Sequence, residues 1–273
     1  MTNSTPHTRT VTVTTETTGP VDVRLTERGA GRPLLLLHGG AGPVSVAAYA
    51  DALAAEQPFR VITPTHPGFD GTARPASLTT VAQLGQLYAA LLAQLELDDA
   101  TVVGNSIGGW VAAELALCGA ERIAALALVD AVGIEVPDHP VVDFFSLTFP
   151  QIAQVSYYDP DAFRIDPAAL PPAAQAVMAA NRATLAVYGG ERSMGDPGLR
   201  ARLVGITRPT LVVWGDSDGV VDPDYGRAYA AAIPGARFEL LPRTGHLPQL
   251  ESPGALTALL AEFAVRRAAP SQS

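Results

Sequence analysis

"TVVGNSIGGWVAAELAL", residues 101–117, begins as one kind of segment and ends as another. Its opening is short, apolar and rich in β-branched residues, as in a strand buried on both faces. From Ile107 onward, alanine and larger apolar residues recur at helical spacing. Ser106 stands at the junction, between Gly104 and Gly108, in a G-x-S-x-G pattern. A strand that turns directly into a helix forces that serine into a strained conformation and lifts its hydroxyl onto the corner. A Cβ two residues before or after it would clash, which explains the glycines. The helix N-terminus aims its dipole and free N–H groups at the same place, where they would suit a developing oxyanion. The five-residue pattern alone is weak; the strand before it and the helix after it give it weight. The plainer alternative is a turn serine with no chemical task.

Outward from this corner the chain alternates. Residues 8–15 and 21–29 have a two-residue period around a Gly-Pro turn and read as an N-terminal antiparallel hairpin. Continuous apolar runs follow at 33–39, 59–65, 101–104, 123–130, 210–216 and 237–242. Helical spacing occupies 45–56, 79–96, 107–119, 223–232 and 254–267. Strand-helix alternation of this kind predicts an α/β fold with a mostly parallel sheet. From Asp130 to Ile206 the rhythm stops, and prolines and aromatic residues replace the strand-like runs. The expectation is a core of 1–131 and 206–273, with a helical cap at 132–205 over the sheet's carboxyl edge.

Bulk properties narrow the function classes. A chain of 273 residues, 48% hydrophobic, supports one large core, with frayed ends expected at "MTNSTPHT" and "AAPSQS". The net charge of -9 and the lack of a basic cluster argue against nucleic-acid binding. No apolar run is long enough for a membrane span. The N-terminus lacks the basic and apolar regions of a signal peptide, so the cytoplasm is the default compartment. Cys118 alone cannot form an internal disulfide, and its place on an apolar helix face predicts a small core residue. All 18 lysine-or-arginine positions are arginine, which removes Schiff-base, phosphate-loop-lysine and Ser-Lys chemistry.

A serine hydroxyl needs a base, and the base needs an acid to orient it. Of five histidines, His7 falls in the tail, His38 ends the first core strand, His66 follows the second, and His139 falls in the cap. His246, in "RTGHLPQLESP", follows the last strand and is the favoured base; His38 is expected to brace the loop after it. For the acid, "VVWGDSDGVVDP" offers Asp216, Asp218 and Asp222, and "ALALVD" offers Asp130. Asp218 is preferred, because Asp216 suits a turn and Asp222, before Pro223, suits a helix N-cap. The oxyanion would be held by the Ile107 N–H and by one from "HGGAGP", with Gly40 ahead of Ala41. Asn105 is read as a local backbone hydrogen-bonding residue. Trp110 and Trp214 are expected to pack in the core. In the cap, Phe144, Phe145, Phe149, Tyr157, Tyr158, Met178 and Tyr188 are candidates to line an apolar pocket. Arg164, Arg182 and Arg192 are candidates to meet a substrate carboxylate.

Taken together, "LLLLHGGAG", "PTHPGFDGT", "VVGNSIGGW", "LVVWGDSDGVVDP" and "TGHLPQLESP" resemble the α/β-hydrolase superfamily over nearly the whole chain. The resemblance implies Ser106 as nucleophile, Asp218 as acid, His246 as base, Gly40 and Ile107 as oxyanion donors, and a helical lid. It implies a serine hydrolase acting on a small ester, thioester or lactone with an apolar portion, with no cofactor or metal. "GNSIGG" also resembles the carbon–carbon bond hydrolases of aromatic ring cleavage, although Leu247 stands where those usually carry tryptophan. Some proteins of the fold are ligand receptors, a third reading. "THPGFDGT" departs from the usual Asp-x-Pro-Gly by placing His66 ahead of Gly68.

Overall fold

The computed structural model describes residues 5–190 and 194–266. Eight strands form one sheet in the order β1-β2-β4-β3-β5-β6-β7-β8. They are β1 His7–Thr15, β2 Gly19–Gly29, β3 Arg32–Leu37, β4 Phe59–Pro64, β5 Ala100–Asn105, β6 Ile123–Val129, β7 Thr210–Gly215 and β8 Arg237–Leu241. β1 pairs antiparallel with β2 and β2 with β4, while every pairing from β4 through β8 is parallel. The expected hairpin and parallel core are both present. His7 is a correction: it opens β1 as an exposed strand residue and does not fray as a tail. Residues 1–4 and the predicted C-terminal tail lie outside the described residues.

Helices α1 Val44–Glu56, α2 Val81–Gln94, α3 Ile107–Cys118, α8 Pro223–Ala231 and α10 Pro253–Arg266 make the crossovers and the C-terminus. α2 starts at a capping box formed by Thr80 and Gln83. Two apolar layers sandwich the sheet, one around α2, α3 and α8 and the other around α1 and α10. β5 and β6 are buried at every position, as strands covered on both faces must be. Trp110 and Trp214 both lie in the core. Cys118 does not: it sits exposed at the last turn of α3, where the helix leaves the sheet, so it is not the small core residue its neighbours predicted.

Among the described residues between β6 and β7 lie four α-helices: α4 Phe149–Ser156, α5 Pro160–Phe163, α6 Pro172–Gly189 and α7 Leu199–Arg202. One stripe of α6 faces the core, with Asn181, Thr184, Leu185 and Tyr188 at the i, i+3, i+4, i+7 spacing of a single helix face. Asn181 Oδ1 accepts from Asp70 N–H at 2.8 Å, Thr184 Oγ1 donates to Gly68 O at 2.9 Å, and Tyr188 OH donates to Pro67 O at 2.8 Å. Leu185 lies so close to Gly40 that a Cβ there would meet its Cδ2 at 2.6 Å. The helix thus packs on both loops that follow β3 and β4.

Candidate active site

β5 ends at Asn105, and Ser106 follows with φ 57° and ψ -123°, in a region that side-chain-bearing residues rarely occupy. The turn is tight enough that a Cβ on Gly104 would lie 2.1 Å from Gly108 O, and one on Gly108 would lie 2.4 Å from Leu37 O. Both glycines of the motif are therefore required by close backbone approach. Ile107 is the first residue of α3, so its N–H has no acceptor within the helix. The loop after β3 lies directly against this corner, because a Cβ on Gly39 would be 3.2 Å from Ser106 Cβ. The sheet's carboxyl edge brings Ser106, Ile107 and the Gly39–Gly40 turn together.

His246 and Asp218 arrive on the loops after β8 and β7. His246 Nδ1 and Asp218 Oδ2 are 2.8 Å apart, with both side chains buried. An ionised carboxylate only accepts, so Nδ1 carries the hydrogen and Nε2 is left with a lone pair. Asp218 Oδ1 accepts from Val220 N–H at 2.8 Å and Val221 N–H at 3.2 Å, which fixes the carboxylate's rotation. The other acid candidates have separate tasks. Asp216 accepts from Ser217 Oγ at 2.7 Å and from Thr244 N–H at 3.3 Å. Asp222 caps α8 through Asp224 and Tyr225 N–H, and its Oδ2 pairs with His139 Nδ1 at 2.7 Å. Asp130 is fully buried directly beside Asp218 and His246: one carboxylate oxygen of each aspartate and one ring nitrogen of His246 lie within 4.8 Å of one another.

Several further residues hold this arrangement, and Asn105, expected to bond local backbone, reaches much farther. Asn105 Nδ2 donates to His246 O at 2.9 Å and to Val129 O at 3.2 Å, and Asn105 Oδ1 accepts from Gln249 Nε2 at 3.1 Å. The residue before the serine thus ties the elbow to the histidine loop and to β6. Glu251 Oε2 accepts from Gly245 N–H at 2.6 Å, and its Oε1 accepts from Tyr158 N–H at 2.9 Å. The segment after β6 also reaches the site loops, since His246 N–H donates to Ser156 O at 2.7 Å and Gly219 N–H donates to Val155 O at 2.9 Å. Behind the elbow, buried Glu114 of α3 accepts two bonds of 2.7 Å from Arg202.

His38 and His66 form a second buried unit under the loop after β3, with ring centroids 4.0 Å apart. His38 Nδ1 donates to Gly39 O at 2.8 Å, and its Nε2 accepts from His66 N–H at 3.1 Å. His66 Nε2 donates to His38 O at 3.0 Å, and its Nδ1 accepts from Tyr88 OH at 2.6 Å. Each ring therefore uses one nitrogen as donor and one as acceptor, the pattern of a neutral imidazole. Burial pushes His66 down to about 4. Burial, and then the neighbouring His66, hold His38 well below the usual histidine range. His38 braces its loop, as expected, and His66 completes that brace.

The cap candidates separate. Tyr188 is buried and stacks on Phe69 with ring centroids 6.4 Å apart. Phe144, Phe145, Tyr157 and Met178 are half-buried, whereas Phe149 and Tyr158 face outward. Arg182 Nη2 donates to the carbonyls of Phe144, Phe145 and Leu147 at 3.1, 2.8 and 3.1 Å. Arg164 is exposed beside Asp161, and Arg192 lies outside the described residues. No described helix is long and apolar enough to cross a membrane.

A family model described as "Alpha/beta hydrolase family" matches residues 34–259. The chain is 27% identical to the 2-hydroxy-6-oxo-6-(2'-aminophenyl)hexa-2,4-dienoic acid hydrolase of Metapseudomonas resinovorans, over 92% of this chain and 90% of that one. It is also 27% identical to Lipase 3 of Moraxella sp. (strain TA144), over 81% of this chain and 74% of that one. Among solved structures it resembles a thermophilic esterase from Thermogutta terrifontis, with a TM-score of 0.74 and 26% identity over 95% of this chain and 99% of that one. The sheet order, the strand–elbow–helix corner and a family match from the first core strand into the last helix lead to one assignment: the chain belongs to the alpha/beta hydrolase family.

Proposed function

We propose that the protein is a serine hydrolase that cleaves a small ester, thioester or lactone through an acyl-enzyme on Ser106. One observation carries this reading. A serine with a strained backbone stands at the N-terminus of α3, and Asn105 bonds its corner to the loop bearing a buried His246–Asp218 pair. In the proposed sequence, Ser106 Oγ attacks the carbonyl carbon while His246 Nε2 takes its proton. The N–H groups of Ile107 and Gly40 stabilise the oxyanion, and Asp218 stabilises the imidazolium. Collapse of the tetrahedral intermediate gives the His246 proton to the departing alkoxide or thiolate, which leaves as an alcohol or thiol, or for a lactone stays as a hydroxyl on the acyl chain. Water, deprotonated by His246, then attacks the acyl carbon and releases the acid, regenerating Ser106. Residues 132–205 act as a cap that shapes the acyl pocket, a role supported by the α6 stripe against the Gly40 and Gly68 loops.

A second reading, carbon–carbon bond cleavage of a vinylogous diketo acid, draws support from the relative named as a dienoic acid hydrolase. Two local observations favour the ester reading. Asn105 is accounted for by its bonds to the histidine loop, and Arg182 by its three backbone carbonyls. The test is intact mass after fluorophosphonate treatment, followed by turnover of an ester, thioester, lactone and diketo-acid panel. The expected result is one adduct that is absent from Ser106→Ala, with the esters and lactones turned over fastest. An adduct that survives in Ser106→Ala would overturn the nucleophile assignment. Faster turnover of the diketo acid would move the enzyme to the second reading.

A further inference from the structure

Among the described residues, Asp130 is the buried acid in contact range of the proposed Asp218–His246 pair that the mechanism leaves unused. It follows β6 with φ 45°, so the chain turns sharply and the carboxyl is aimed at the ends of the neighbouring strands. Its Oδ1 accepts from Gly215 N–H at 2.8 Å, while its Oδ2 is buried without a hydrogen-bond partner. Asp218 is equally buried, but it accepts from two backbone N–H groups and from His246. The two carboxyls adjoin in a space that water does not reach. Two carboxylates so placed do not both ionise, and the proton goes to the one with fewer donors. Asp130 has one donor and Asp218 has three. An orphaned carboxylate oxygen is costly when buried, and a hydrogen on it turns it into a donor facing an acceptor.

We propose that Asp130 is a positioning residue that stays protonated and donates a hydrogen bond from Oδ2 to the carboxylate of Asp218, keeping the pair at one negative charge. That single charge matches the single imidazolium charge formed when His246 takes the serine proton, so the acid–base group is neutral and the only net charge left as the tetrahedral intermediate forms is the oxyanion's. The direction of titration agrees. Burial first, and then the neighbouring Asp218 and Glu251 charges, hold the Asp130 carboxyl well above the usual range. The titratable groups facing it are Asp218 on the β7 loop, His246 on the β8 loop and Glu251 on α9 (Pro248–Glu251). A neutral acid retained as a hydrogen-bond donor is an established use of a buried carboxyl.

The proposal rests on the serine-hydrolase reading for its consequence, but not for its chemical content, and the test separates the two. Infrared difference spectra of wild type minus Asp130→Asn at neutral pH need no turnover. The expected result is loss of one protonated-carboxyl carbonyl band in the variant. The second arm is the pH dependence of the rate at which a fluorophosphonate labels Ser106. Asparagine keeps a donor toward Asp218 and changes no charge, so the acid limb is expected to move by less than about 0.3 pH unit. An ionised Asp130 would predict the opposite, because removing a negative charge beside the base moves the limb down by about one unit or more. Such a downward shift, or a difference spectrum with no protonated-carboxyl band, overturns the proposal. A band that disappears in a protein whose Ser106 takes no label would leave the shared proton standing and defeat the hydrolase reading.

Discussion

The sheet's carboxyl edge and the segment between β6 and β7 are built on opposite principles. At the edge, buried polar groups bond partners far away in sequence: Asn105 to His246 across 141 residues, Gln249 to Asn105 across 144, and His246 to Asp218 across 28. In the outer part of the segment many bonds are local caps, such as Thr148 with Gln151, Asp159 with Ala162 and Asp166 with Ala168. Some of its large apolar side chains also stay wet there, with Tyr158 and Ile165 52% and 58% exposed. An edge whose groups are held by several distant elements at once fixes atoms to the tolerance that chemistry requires. A segment held by local caps can change its surface without disturbing that edge. The exceptions are the α6 stripe on the loops after β3 and β4, and the end of α4, where the Ser156 and Val155 carbonyls accept from His246 and Gly219 N–H.

Glycine replacements expose the contrast most sharply. Gly104→Ala puts a methyl 2.1 Å from Gly108 O, where only backbone could yield. The expected cost is about 3 kcal/mol or more, seen as loss of soluble protein or a collapse in the urea midpoint. Gly190→Ala, at the end of α6, meets nothing within 4 Å among the described residues and carries the strain of φ 67° with ψ -171°, a region essentially kept for glycine, about 1–3 kcal/mol. Equal effects would mean that the two regions are equally rigid. Next in size is Leu185→Ala, which empties the contact over Gly40. It is expected to cost about 2–3 kcal/mol in urea unfolding and to slow fluorophosphonate labelling as well. Stability lost with an unchanged labelling rate would cut the link between α6 and the Gly39–Gly40 loop.

What the sequence made legible follows the same division. Elbow, strands and crossover helices were readable because close backbone approach and two-sided burial dictate local residue types, as at Gly104-Asn105-Ser106-Ile107-Gly108. The histidine loop was readable by its place after the last strand. The company that Asp218 keeps was not, because nothing near "WGDSD" records that the residue after β6 will lie against it. Asp130 stood there only as a rival acid, and the fold makes it a neighbour. Glu114 looked like any helical glutamate until α7 brought Arg202 to it. Cys118 misled because apolar neighbours do not reveal where a helix stops being covered. The uses of the cap residues depended on tertiary contacts that their local composition does not encode.

The His38–His66 pair predicts how the edge fails in acid. A histidine held neutral in the fold titrates in the unfolded chain near 6.5, so its stabilisation is complete above that pH. It declines as pH falls below about 6.5, and for His66 it levels off below about 4. At pH 5 the loss from His66 alone is about 2 kcal/mol, with His38 adding in the same direction. Depressed carboxylates such as Asp222 and Glu27 lose stability only at lower pH, so they do not fill this window. A protonated Asp130 acts with the opposite sign over this window, so the His66 share is read as a difference: from pH 7.5 to 5.0, His66→Asn is expected to lose less stability in urea unfolding than wild type does. An equal loss in that variant would remove His66 from the account.

The smallest effects belong to the wet part of the cap, and they calibrate the rest. Arg182 is half-buried, with its guanidinium 5.4 Å from the Phe144 ring centroid and three carbonyls on Nη2. Arg182→Ala frees those carbonyls near a surface where water reaches them, so its cost is about 1–2 kcal/mol rather than that of a deeply buried charge. Tyr158→Ala removes a ring that is 52% exposed and whose backbone N–H, not its hydroxyl, bonds Glu251. It is expected to change stability by less than about 0.5 kcal/mol, and to leave fluorophosphonate labelling unchanged. If Tyr158→Ala instead altered selectivity among acyl chains while stability held, the outer ring would belong to the substrate's path. The cap would then be chemically coupled to an edge from which its local bonding otherwise separates it.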